Sequence, residues 1–111
     1  MHAELDKFLR FINGSENKML VLSVLDEITG GKTNSNIVVR LLEGCVKNDN
    51  PDEWTALDMV AISDELKIDI SDVLQARFEL KFKNLVSARY QGDKTIEYHL
   101  DVAELNKRIG L

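Results

Sequence analysis

The run "LVSARYQGDKTIEYHLD", Leu85 to Asp101, constrains this chain more than any other stretch. Val86, Ala88 and Tyr90 alternate to one face, and Ile96, Tyr98 and Leu100 do the same on the return, which is the period of a half-buried strand. The polar turn "QGDK" at 91–94 joins the two arms, with a glycine to supply the positive φ that tight hairpins need. A helical pattern precedes the hairpin directly and a short one follows it. The fold must therefore seat one hairpin among helices.

The remaining chain divides at three further turn signals, "NGS" at 13–15, "TGGKTNSN" at 29–36 and "KNDNPDE" at 47–53. None is long enough for an interdomain linker, so residues 1–111 read as a single domain. Residues 3–12 predict a helix with Leu5, Phe8, Leu9 and Ile12 on one face. Residues 16–28 place Val21, Val24, Leu25 and Ile28 at helical spacing, and Met19, Leu20 and Leu22 widen the stripe until most of the surface is apolar. Such a helix is covered from more than one side, by its own domain or by a partner. "TNSN" offers N-caps for a helix over 36–47 with Ile37, Val38, Leu41, Leu42 and Cys45 inward. Trp54 and Thr55 can form a very short strand. Thr55 is also a candidate cap for a helix reaching Leu66. A further helix covers 71–84, with Asp72 and Gln75 at the spacing of a capping pair.

Helix, turn, helix, hairpin, helix over "ISDELKIDISDVLQARFELKFKNLVSARYQGDKTIEYHL" resembles the winged helix-turn-helix superfamily, in an ArsR/MarR-like arrangement, across about residues 36–109. Ile62, Leu66 and Ile68 stand where that superfamily has the apolar residues of its second helix and turn. Val73, Leu80, Leu85 and Val86 match core positions of its third helix and first wing strand. The resemblance implies a mainly α fold with a small β-hairpin wing, preceded by an N-terminal helical extension over 1–30. It also implies duplex DNA as partner, with helix 71–84 in the major groove and hairpin 86–100 against the backbone.

On that reading Ser71, Gln75, Arg77, Lys81 and Lys83 from the helix, with Arg89, Gln91 and Lys94 from the wing, are the DNA-binding candidates. Homodimerisation or a partner protein would use Phe8, Met19, Leu22, Leu74, Phe78 and Phe82. Three departures bear on this. A turn glycine common in the superfamily is Lys67, a core Leu position is Arg77, and the expected outward face holds Asp72, Gln75, Glu79 and Lys83. Carboxylates repel phosphates, and the whole chain carries a formal charge of −5. Residues 1–55 have six Lys plus Arg against nine Asp plus Glu, a net of −3. Residues 56–111 have eight against ten, a net of −2, so neither half is a basic module. Leu74, Phe78 and Phe82 form a second apolar stripe, for which the N-terminal helices are the expected cover and a partner the other candidate. The alternative function is a winged-helix protein-interaction module that does not bind DNA.

Other chemistries find little footing. Asp64-Glu65 and Asp26-Glu27 are sequence neighbours whose side chains diverge by about 100° on a helix. "GGK" at 30–32 lacks the rest of a phosphate loop, and one Cys with two scattered His has no zinc spacing. No enzyme, cofactor or metal is expected. No apolar run approaches the roughly 20 residues of a membrane span. The acidic start "MHAELDKFLRF" lacks the order of a signal peptide, and the lone Cys45 fits a reducing compartment. The expected setting is the cytoplasm.

Overall fold

A computed structural model describes residues 2–14, 18–91 and 95–111, with side chains for 2–14, 21–90 and 96–111. The "QGDK" turn beyond Gln91 therefore lies outside the described residues. Six helices and three strands follow in the order α1 (Ala3–Asn13), α2 (Lys18–Thr29), α3 (Lys32–Lys47), β1 (Trp54–Ala56), α4 (Met59–Leu66), α5 (Ile70–Phe82), β2 (Val86–Gln91), β3 (Thr95–Leu100) and α6 (Val102–Ile109). The strands form one antiparallel sheet in the order β1-β3-β2. Helix, strand, helix, helix and a two-stranded return is the winged helix-turn-helix arrangement, mainly α with a small sheet.

The hairpin pairs Val86 with Leu100, Ala88 with Tyr98 and Tyr90 with Ile96, and β1 adds Thr55 opposite Tyr98. Opposed residues share a face, so Thr55, Val86, Tyr98 and Leu100 all turn toward the helices. Only the root of that face is buried. Val86, Tyr98 and Leu100 are enclosed, whereas Ala88 and Tyr90 stand in solvent because the hairpin outruns the helices beneath it. Gly44 of α3 lets β1 sit close, since a Cβ there would stand 2.5 Å from Thr55 Oγ1.

Local chemistry shifted several boundaries from the sequence reading. Helix α3 begins at Lys32 because "TNSN" bonds back to α2 instead of capping. Asn34 Nδ2 donates to Thr29 O at 2.7 Å, and the Thr29 and Ser35 hydroxyls lie 3.0 Å apart, all buried. Thr55 belongs to β1, and the cap of α4 is Asp58, whose Oδ1 accepts from the backbone N–H of Val60 at 2.9 Å and of Ala61 at 3.3 Å. Helix α5 starts a residue earlier at Ile70 with Asp69 as N-cap, and the Asp72–Gln75 capping pair does not form. Asp101 caps α6 through the Glu104 N–H, and Gly110 ends it in the left-handed region.

Among the described residues one core draws on both ends of the chain. Phe8, Val21 and Leu25 of the first two helices join Ile37, Leu41, Val73, Leu80, Leu85, Tyr98, Leu100 and Leu105. Phe8 was expected at an interface. It lies instead inside the monomer core, packed at a tilt on Phe11, because α1 lies along α6 and turns this face inward. Asn106 of buried α6 donates to the main-chain O of Glu4 at 2.7 Å and to its carboxylate at 2.8 Å, tying the ends of the chain together.

The turn between α4 and α5 carries strain. Lys67 sits at φ 56° and ψ 45°, a left-handed conformation that costs an L residue about 1–2 kcal/mol. Lys67→Gly is expected to raise stability by about 0.5–1 kcal/mol once glycine's extra unfolded-state freedom is offset. The check is a higher urea midpoint at unchanged slope. A lower midpoint would mean that the lysine side chain contributes more than its backbone strain costs.

Candidate docking face on helix α5 and the wing

Helix α5 buries Val73, Ala76 and Leu80 against the core. Successive residues turn by about 100°, so the direction opposite those three falls between Phe78 and Phe82. Both rings stand out from the surface, Phe78 at 63% and Phe82 at 80% exposure, stacked with centroids 6.5 Å apart. Leu74 and Ile70 continue the row at 38% and 39%, and Val60 of α4 flanks it. Ile70, Leu74, Phe78 and Phe82 recur every fourth residue, which makes them a single ridge of the kind that packs into the groove of another helix.

This corrects two expectations. Glu79 and Lys83 do not lead the outward face. They are half-buried beside the turn after α2, where a Cβ on Gly30 would stand 3.7 Å from Glu79 Oε2 and 3.6 Å from Lys83 Cε. Nor do the N-terminal helices cover the stripe, because α1 packs on α6 and α2 packs on α3 and α6. Ser71, Gln75 and Lys81 do lie exposed around the ridge.

The expected cations are in less free positions. Arg77 is half-buried in a groove between α4, α5 and β3 with Leu57, Val60, Ile70, Leu74 and Ile96, and its Nη1 donates to Tyr98 Oη at 3.2 Å. That bond explains how a guanidinium occupies a position where a core Leu was expected: the aliphatic stem packs and the head finds a buried hydroxyl. Arg89 donates from Nε to Glu97 Oε1 at 3.0 Å across the strand pair, with its guanidinium 4.2 Å above the centre of the Trp54 ring. Trp54 in turn lies 5.2 Å from His99, which approaches Asp52 at 3.6 Å. The wing cation is thus neutralised and stacked within its own sheet. Lys94 is outside the described residues, as are the side chains of Gln91 and Met19.

Leu22 is half-exposed and lines a second groove, between α2 and α3, with Val39, Ser35, Asn36, Asp26 and Lys32. Cys45 is buried, and desolvation pushes its thiol above the ordinary range, which makes it a poor nucleophile. Among the described residues no three His, Cys, Asp or Glu side chains stand together to hold a metal. No described helix is long and apolar enough to cross a membrane.

Fold and face together define a mostly helical, winged helix-like fold whose helix α5 carries an exposed apolar ridge. Among solved structures the chain is similar to one named "Possible transcriptional regulator from Methanosarcina mazei Go1". The two share 22% identity with a TM-score of 0.55, over 81% of this chain and 73% of that one, a likeness that speaks for the fold. Neither a family model nor a curated protein matches the chain.

Proposed function

We propose that this chain is a winged-helix regulator that works by docking protein on the exposed face of α5. The observation that carries the reading is the four-membered apolar ridge ending in Phe78 and Phe82, left uncovered by the described residues. Large contiguous apolar surface on a folded domain marks an interaction site, and covering it returns about 25 cal/mol for each Å² removed from water. Duplex DNA offers such a ridge little beyond thymine methyls, since groove edges are otherwise polar. Charge points the same way. The chain is at −5, and Arg89 is already paired with Glu97. A single buried thiol suits a reducing, cytoplasmic setting.

Duplex DNA is the second reading, favoured by Ser71, Gln75 and Lys81 lying exposed around the ridge. A glutamine can bridge an adenine edge and a lysine can meet phosphate. Arg77, Lys83, Gln91 and Lys94 would be auxiliary contacts in that mode. The similar solved protein carries a regulator's name, which accords with either mode.

The two are separated by fluorescence anisotropy of a labelled random-sequence duplex at about 50 and 200 mM salt. The docking reading expects no saturable binding at low salt. A dissociation constant of about 10⁻⁶ M that weakens steeply with salt, and about tenfold with Gln75→Ala and Lys81→Ala together, would overturn it in favour of DNA.

A further inference from the structure

Helix α5 is complementary to itself when turned end for end. We infer that the occupant of its exposed face is the α5 of a second copy, laid antiparallel about a two-fold axis, a step that rests on the protein-docking reading above. Both size and charge invert about the middle of the helix, at Ala76. The ridge runs from aliphatic Ile70 and Leu74 to aromatic Phe78 and Phe82. The first pair is recessed and the second projects. Ile70 and Leu74 also wall the groove that contains Leu57, Val60 and Ile96, so recess and projection lie along one helix.

Turning one copy about that midpoint sets Ile70 opposite the partner's Phe82, and Leu74 opposite the partner's Phe78. Each ring then meets an aliphatic recess. A parallel pair would set ring on ring and leave the recesses unfilled. The charges follow the same inversion. Residues 69–75 carry Asp69 and Asp72, a net of −2, and residues 77–83 carry Arg77, Lys81 and Lys83 against Glu79, a net of +2. None of these six groups has an ion-pair partner among the described residues. The antiparallel pair lays the acidic start of each helix beside the basic end of the other, whereas a parallel pair lays like on like. A two-fold contact must present both halves of itself on one surface, and this helix does.

Only surface still open in the monomer can be buried. Phe78 and Phe82 keep roughly 300 Å² between them, and Ile70, Leu74 and Val60 about 200 Å² more. Two copies therefore cover at most about 1,000 Å² of apolar surface. With the flanking Gln75 and Lys81 the contact comes near the roughly 1,200 Å² at which specific interfaces begin, the size of a weak, reversible dimer.

Sedimentation velocity on the full chain across the micromolar range tests for the pair. The expected result is a monomer–dimer equilibrium that Phe78→Ser and Phe82→Ser each weaken at least tenfold, without moving the thermal midpoint of the dilute chain. Orientation is read with a short thiol-reactive cross-linker, the parent chain with its buried Cys45 serving as the blank. Ile70→Cys mixed with Phe82→Cys is expected to yield a linked pair containing one copy of each. Neither variant links alone, because like positions stand about 18 Å apart along an antiparallel pair. Links within each variant alone would mean a parallel pair and overturn the proposal. So would a dimer untouched by Phe82→Ser, a dimer whose mixed variants do not link, or a chain that stays monomeric throughout. If that monomer also leaves duplex unbound, only the second copy is lost and docking on another protein stands. If it binds duplex, the docking reading falls with it.

Discussion

Leu80→Ala is expected to lower the unfolding free energy by about 2–5 kcal/mol, whereas Phe82→Ser, two positions further along the same helix, changes it by no more than about 0.5 kcal/mol. Leu80 has no exposed surface and packs among the α5, hairpin and α6 residues of the core, so its loss removes apolar contacts and leaves a cavity. Phe82 is four-fifths exposed and its ring centre lies 6.5 Å from that of Phe78. Hydrophobicity scales rank the two residues alike. Their places on the helix separate them. Urea denaturation with equal slopes measures both. Comparable losses at the two positions would mean that the ridge is buried within the monomer, and the docking face would disappear with it.

Asn106→Ala is expected to cost about 0.5–1.5 kcal/mol, the net contribution of a part-buried hydrogen bond to the main-chain O of Glu4. The figure stays modest because Asn106 Oδ1 is buried with no partner, an existing debt that the substitution removes. The same variant has a signature in acid. The Asn106 amide holds the Glu4 carboxyl below its usual value of 4.5, opposed by a smaller effect of desolvation and aided by still smaller ones from Lys7. A carboxyl with a depressed folded pKa stabilises above its unfolded pKa, and that contribution fades as the pH falls from about 4.5 through the folded value. Stability of the parent chain should therefore decline more steeply below about pH 4.5 than that of Asn106→Ala. Parallel acid limbs would show that the contact between the chain's ends does not form in solution.

Much of the architecture is legible in the residues. Alternation in 86–90 and 96–100 specifies the hairpin, and its register follows from which face must be buried. The inward positions Val73 and Leu80 of α5, and Leu85 and Val86 at the root of the hairpin, are all enclosed. Capping was harder to read. Thr55, Asp58, Asp69 and Asp72 all have the chemistry of a cap, and only tertiary contacts decide among them: the pairing of β1 with β3 removes Thr55 and leaves Asp58.

The site was legible in part. The stripe Leu74, Phe78 and Phe82 is visible in the sequence, and its first member Ile70 is hidden only if the helix is started at 71. Whether the stripe is covered cannot be read from spacing, since α1 and α2 could have packed on either side of α3 and α5. The engagement of Arg89 with Glu97 and Trp54 needs the three-stranded register, which joins residues 35 and 43 positions apart on one face. Nothing in "ARYQGDKT" alone distinguishes a free cation from a paired one. Arg77 was the reverse case, a residue that breaks the apolar pattern and finds its reason in the hydroxyl of Tyr98.

The most direct test of the central claim is amide chemical-shift mapping of the isotope-labelled full chain, titrated with a random-sequence duplex at low salt. Protein docking through α5 predicts silence in residues 70–83 when duplex is added. Shifts in α5 and the wing on adding duplex would contradict it and make α5 a groove-reading helix.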